Sequence, residues 1–200
     1  MINGLPIYYA IIDDYDTGVD KISLVKMPAV ESNFIAFDKD KKHIMFSSNE
    51  EQQMITGVLM RADYPIYRND SKLGEYYVQF SKDTIKTMAE KLLVDCHQNW
   101  INIEHSENSD IYGVNMLELF IKDSSKGINP IGFEDITDGS LFATFKVNNP
   151  LVWECIKNGV FQGFSIEGQF GFNIVDDEKD EYDDYNDIME LITKIENKLK

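Results

Sequence analysis

The stretch Gly163-Phe164-Ser165-Ile166-Glu167-Gly168-Gln169-Phe170-Gly171-Phe172 constrains the fold of this chain more than any other. Side chains alternate across a strand, so Phe164, Ile166, Phe170 and Phe172 share one face while Ser165, Glu167 and Gln169 share the other. The pattern predicts a half-buried strand with a polar working face. Gly163, Gly168 and Gly171 mark points where the backbone bends or is closely approached. A serine on such a face becomes a nucleophile only when a base reaches it. The best candidate base is His105, in Trp100-Ile101-Asn102-Ile103-Glu104-His105. On residue types alone, the simpler reading is a sheet strand whose serine faces water.

Upstream, the chain reads as a series of strands with two helices. Residues 6–12 and 19–25 read as strands on either side of the turn-forming residues 13–18, with a third short apolar piece at 33–37 and a polar connection over 38–53. The first 50 residues therefore predict an appended hairpin and linker. Residues 54–67 and 75–80 read as two strands joined through 69–74. Ser81 caps the clearest helix, whose Ile85, Met88, Ala89, Leu92 and Leu93 fall on one core-facing side. Strands follow at 100–105, 111–122 and, after the Asp138-Gly139 turn, at 140–147. Asn149-Pro150 opens a short helix that Gly159 closes, delivering the chain into the serine strand.

Composition narrows the function. With 19 Lys and Arg against 35 Asp and Glu, a formal charge of -16, the chain gathers no basic patch to grip a phosphate backbone, so nucleic acid is not an expected partner. No segment has the apolar length of a membrane span, and the first residues lack the charged start, apolar run and cleavage site of a signal peptide. A soluble, intracellular protein is expected. Cys96 and Cys155 are too few for a disulfide framework and form no CxxC pair, so both are expected as reduced thiols. Seven of the ten residues 176–185 are acidic, which predicts a solvated linker. Beyond it Ile188, Leu191, Ile192, Ile195 and Leu199 form one stripe on a final amphipathic helix, too short to be stable without a surface to lie on. The expected organisation is residues 1–50 as N-terminal strands and linker, 51–175 as the core, and 176–200 as linker and helix.

His105, Ser165 and a carboxylate are the minimum parts of a serine hydrolase. Glu167 shares the strand face of Ser165 and could orient a histidine from a neighbouring strand; Glu118 is a second option. One conflict stands: His105 shares its alternation with Ile101 and Ile103, which aims it at the apolar side unless a bulge or strand end intervenes. His43 reads as a solvated side chain in the linker. His97 follows Cys96 just after a helix, where adjacent side chains diverge. A metal site from His97, Glu104 and His105 matches no familiar zinc spacing. No metal and no cofactor are expected.

The segment Ile101-Asn102-Ile103-Glu104-His105 with Gly113-Val114, and Gly163-Phe164-Ser165-Ile166-Glu167-Gly168 after a helix containing Trp153 and ending at Gly159, resemble the phage prohead serine proteases. The histidine segment also resembles that of the herpesvirus assemblins. The likeness to the phage family runs over about residues 54–175, with a looser echo in Lys21-Ile22-Ser23-Leu24-Val25-Lys26-Met27-Pro28-Ala29-Val30. It implies an α+β fold, mainly antiparallel β, with a compact barrel-like protease core and a few helices. It also implies a serine endopeptidase that cleaves phage scaffold and major capsid proteins, and itself, in the host cytoplasm inside the immature procapsid, with assembly-dependent activation in keeping with the family; whether the chain forms a homo-oligomer is left open. Ser165 would be the nucleophile and His105 the general base. Assemblins place a second histidine after the serine; this chain has none beyond His105, so a carboxylate substitutes, the pair works as a dyad, or the protein is an inactive capsid-assembly relative with the protease fold.

Overall fold

The serine strand pairs with a segment far from it in sequence. In the computed structural model, which describes residues 1–12, 17–28 and 52–174, strand β9 (Gly163–Gln169) runs antiparallel to β2 (Gly18–Val25). The other edge of β2 pairs in parallel with β6 (Ile101–Ile103). Ile22, Ser23, Leu24 and Val25 are all buried, as expected of a central strand covered on both faces. Ile22 and Leu24 enter the main core, while Ser23 occupies the opposite face with Asn102 and Ser165 as its register partners.

A second sheet has the order β10-β1-β5-β4, built from β1 (Ile7–Ile11), β4 (Ile66–Asp70), β5 (Gly74–Gln79) and β10 (Gly171–Ile174). The third has the order β3-β8-β7, from β3 (Met54–Met60), β7 (Val114–Ile121) and β8 (Leu141–Val147). The fold is therefore α+β, with mostly antiparallel pairing. The expected closed, barrel-like core is not formed among the described residues. Closure requires each edge ladder to be continued by a neighbour, whereas the strands divide into three sheets and β6 stops after three residues.

Three further expectations change. The first two strands are not an appended hairpin: β1 lies between β10 and β5, and β2 between β6 and β9. Turn residues show where a chain reverses, not which strand it then pairs with. The single strand expected over 54–67 is two, β3 and β4. Between them Asp63 adopts a left-handed backbone (φ 54), the Ala62 N–H donates to Ser140 Oγ, the Asp63 N–H donates to Phe80 O, and Pro65 has no N–H to give. The long serine strand also divides, at Phe170, into β9 and β10. Residues 33–37, the acidic run and the helix expected at 188–199 lie outside the described residues.

Two helices brace the sheets. In α1 (Lys82–Val94) Ser81 Oγ accepts from the Thr84 N–H, and Ile85, Met88 and Leu92 are buried. Leu93, placed on the core side from its spacing, is 48% exposed at the edge of that stripe. Asn149 Oδ1 accepts from the Leu151 and Val152 N–H groups at the start of α2 (Pro150–Lys157), which buries Val152, Trp153 and Ile156. Gly159 follows in a left-handed conformation (φ 69), ending the helix. From there the chain enters β9, where Phe164 packs against Phe145 with ring centroids 4.8 Å apart.

Candidate active site

Register puts Asn102, Ser23 and Ser165 side by side across β6, β2 and β9. Glu167, two residues beyond Ser165, lies on the same face and opposite Lys21. The conflict over His105 is resolved by a strand end. β6 stops at Ile103, and Glu104 (φ 53) and His105 (φ 57) both take left-handed backbones that turn the chain over the row. Such a conformation costs roughly 1–2 kcal/mol per residue outside glycine. Hydrogen bonds offset it, two of them to the distant Leu24 and Lys26. The Glu104 N–H donates to Leu24 O at 3.1 Å, Glu104 Oε1 accepts from the Lys26 N–H at 2.6 Å, and Ser109 Oγ accepts from the Ile103 N–H at 3.1 Å and donates to Ile103 O at 2.7 Å.

The imidazole thereby reaches the polar face. His105 Nδ1 lies 3.1 Å from Glu167 Oε1 and 3.0 Å from Ser23 Oγ. The same Glu167 oxygen accepts from Ser23 Oγ at 2.7 Å and from Asn102 Nδ2 at 2.5 Å, while Asn102 Oδ1 sits 2.5 Å from Ser23 Oγ. An unprotonated Nδ1 would set its lone pair against a carboxylate oxygen, so Nδ1 carries the hydrogen. Neutral His105 then has its basic lone pair on Nε2.

Burial tends to raise the Glu167 carboxyl pKa, but hydrogen bonds from Ser23, Asn102 and His105, together with the His105 charge, outweigh it and hold the group below its ordinary 4.5. Glu167 is therefore ionised at neutral pH. Lys21 donates to Asp110 at 2.6 Å, and this bond, against some desolvation and aided by the charges of Asp110, Glu167 and Glu107, raises its pKa.

The two serines of the row differ. Ser23 is wholly buried and its hydroxyl is spent within the cluster. Ser165 retains 7% exposure, and among the described residues its hydroxyl forms no hydrogen bond. It is not hydrogen-bonded to His105.

The remaining candidates are placed elsewhere. Glu118 lies on β7, in another sheet, where its Oε2 accepts from Thr144 Oγ1 at 2.7 Å. His97 Nδ1 donates to Val19 O at 2.8 Å and its ring stacks on Trp100. Among the described residues no group of three His, Cys, Asp or Glu could hold a metal, so His97, Glu104 and His105 make no such site. Cys96 and Cys155 are free thiols. His43 lies outside the described residues. Ser23 and Asn102 were not legible as site residues. Each is a lone polar residue inside an apolar run, Ile22-Ser23-Leu24 and Ile101-Asn102-Ile103, and both lie in segments that carry the family resemblance without a role being read for them.

A hydroxyl, an imidazole and a carboxylate on one face of a three-stranded sheet are the side-chain set of a serine hydrolase. A family model described as "Putative phage serine protease XkdF" matches residues 41–175, and the chain belongs to this phage serine protease family. No curated protein and no solved structure matches the chain.

Proposed function

We propose that the chain is a serine endopeptidase that processes scaffold and major capsid proteins, and itself, inside the immature phage procapsid in the host cytoplasm. The observation that carries this reading is the convergence of Ser165, His105 and Glu167 on one polar face in a chain of the phage serine protease family. Ser165 Oγ attacks the scissile carbonyl carbon and its proton passes to His105 Nε2; the C–N bond then breaks as Nε2 returns that proton to the leaving amine. Water attacks the resulting ester, gives a proton to Nε2, and the acid leaves as Ser165 recovers its hydrogen. Glu167, accepting from Nδ1–H, stabilises the imidazolium formed in both halves. Residues 176–200 serve in this reading as a tether to capsid or scaffold or as a removable tail; deleting them should reduce incorporation into procapsids or change processing, and unchanged behaviour in both would refute that role.

A second reading, an inactive capsid-assembly protein with the same fold, is favoured by the missing Ser165–His105 hydrogen bond. Intact mass over time for wild type, Ser165→Ala and His105→Ala, alone and co-expressed with capsid and scaffold proteins, separates the two. The protease produces discrete fragments that both variants abolish, with a loss on the scale of roughly 10⁶-fold for the serine. Identical processing in all three, or none even with the capsid proteins present, leaves the structural role standing.

A further inference from the structure

We propose that Ser23 and Asn102 are positioning residues of this site, a buried pair that holds the Glu167 carboxylate against His105 Nδ1 and so sets which imidazole nitrogen is basic. The inference rests on the serine-protease reading of the same face, but its physical content is a tautomer, which can be measured without catalysis.

Both residues occupy places where an apolar side chain would serve packing better. Ser23 is 0% exposed in the middle of the central strand and Asn102 is 1% exposed on its neighbour. A buried hydroxyl or amide is costly unless its hydrogen bonds are made. Here the side-chain bonds converge on one carboxylate oxygen: Ser23 Oγ at 2.7 Å and Asn102 Nδ2 at 2.5 Å from Glu167 Oε1. The amide orientation follows, because Nδ2 must face the carboxylate, which turns Oδ1 towards Ser23 Oγ at 2.5 Å, where it shares the single hydroxyl proton with Glu167 Oε1. Ser23 Oγ also lies 3.0 Å from His105 Nδ1, so the ring is seated by the pair as well as by Glu167.

The positioning has a competitor. Lys21 stands opposite Glu167 in the β2–β9 register, and its ammonium is now paired with Asp110. Glu107 also contributes to the field at Lys21, and Glu104 is turned to the Lys26 N–H. With Ser23 and Asn102 in place, the carboxylate is drawn inward over the sheet. Without them, a partly exposed Glu167 is free to turn to the ammonium of Lys21, its register partner, or to Arg68, which lines the same cleft, and His105 Nδ1 loses its acceptor. The imidazole then relaxes towards the Nε2–H tautomer, whose Nε2 cannot accept the proton of Ser165.

The test is ring ¹⁵N NMR of the full chain in wild type, Ser23→Ala and Asn102→Ala. His105 is distinguished from the other two histidines, His43 and His97, by His105→Ala. Alongside it run the rate of labelling by a fluorophosphonate with peptide mapping of the labelled serine, and thermal unfolding to confirm that each variant is folded. Ser23→Cys, close in shape with a weaker donor, stands in should Ser23→Ala fail to fold. Wild type is expected as the Nδ1–H tautomer. The variants should shift towards Nε2–H and label Ser165 about tenfold to a hundredfold more slowly, part of the roughly 10²–10⁴ that general base catalysis supplies. An unchanged tautomer in folded variants overturns the proposal even if their stability falls, because a purely structural role would give that result. A label found on Ser23 also overturns it, since Ser23 would then be the nucleophile. A tautomer shift in a protein whose wild type never labels, alone or co-expressed with capsid and scaffold proteins, supports the positioning and refutes the protease reading, so the two fail separately.

Discussion

Two three-stranded sheets of this molecule carry a row of polar side chains across all three strands, yet only one has the parts of a catalytic site. In the sheet β3-β8-β7, Thr56, Thr144 and Glu118 are register partners. Thr56 Oγ1 lies 2.9 Å from Thr144 Oγ1, which donates to Glu118 Oε2 at 2.7 Å. Every hydroxyl proton there has an acceptor and no imidazole joins the row. In the sheet β6-β2-β9 the row is Asn102, Ser23 and Ser165, with Glu167 on the same face. There the buried hydroxyl is spent on the carboxylate, the neighbouring one is not, and a left-handed turn after β6 lays His105 over the row. The contrast shows that hydroxyls and a carboxylate in register make only a satisfied polar ladder. A reactive site also needs an unspent hydroxyl and a base whose orientation is fixed from its far side.

The sharpest way to break this comparison is to neutralise each carboxylate in turn. Glu167→Gln should reduce proteolysis by about 10³–10⁴-fold, the scale seen when the residue orienting a catalytic histidine loses its charge. Glu118→Gln should leave it within about twofold. Equal losses in a cleavage assay of co-expressed capsid protein would erase the distinction between the two sheets.

A smaller effect is expected from the contact that keeps β9 in register. A Cβ added at Gly168 would lie 2.0 Å from Gly18 O, so Gly168→Ala has to push β2 and β9 apart. A loss of about 1–3 kcal/mol is expected in denaturant unfolding, on the scale of overpacking. Thr144→Val, which removes the buried central hydroxyl of the other row while its partners Thr56 and Glu118 still reach water, should cost about 1 kcal/mol. The reverse order would show that the serine row is not under tight backbone control.

The smallest effect is on the pH dependence of stability. The carboxyl of Glu167 titrates below 4.5 in the folded protein, so its contribution to stability is fully present above the unfolded value and is lost as pH falls through the depressed folded one. Unfolding temperatures of wild type and Glu167→Gln should therefore differ most above about pH 4.5 and converge in more acidic solution. A difference that grows on acidification would contradict the hydrogen-bonded, ionised state of Glu167.

Much of the fold was legible in local pattern. The cap at Ser81, the Asn149-Pro150 start of α2 and the alternation around β8 and β9 appear where short-range chemistry puts them. Strand partners were not legible, and the expected N-terminal hairpin is the clearest case. β1 and β2 each pair with strands 70 or more positions away that no local turn links to them. Of the cluster, Ser165 and Glu167 could be named from residue type and face, and His105 from residue type alone, because its alternation aimed it at the apolar side. Ser23 and Asn102 could not, because a single polar residue in an apolar strand has the same appearance whether it meets a carboxylate or a backbone carbonyl.

The amino-acid sequence by itself determined which faces are polar, where the described helices begin and end, the acidic balance of the chain, and the residue types available for hydrolysis. These depend on side-chain chemistry and on the fixed periods of strand and helix. Only the tertiary structure decided that β2 lies between β6 and β9, that Ser23 and not solvent meets Glu167, and that His105 leaves its strand in time to reach the polar face. Those outcomes depend on pairing register and on two left-handed residues held by distant hydrogen bonds, and neither is encoded within any one stretch of the chain.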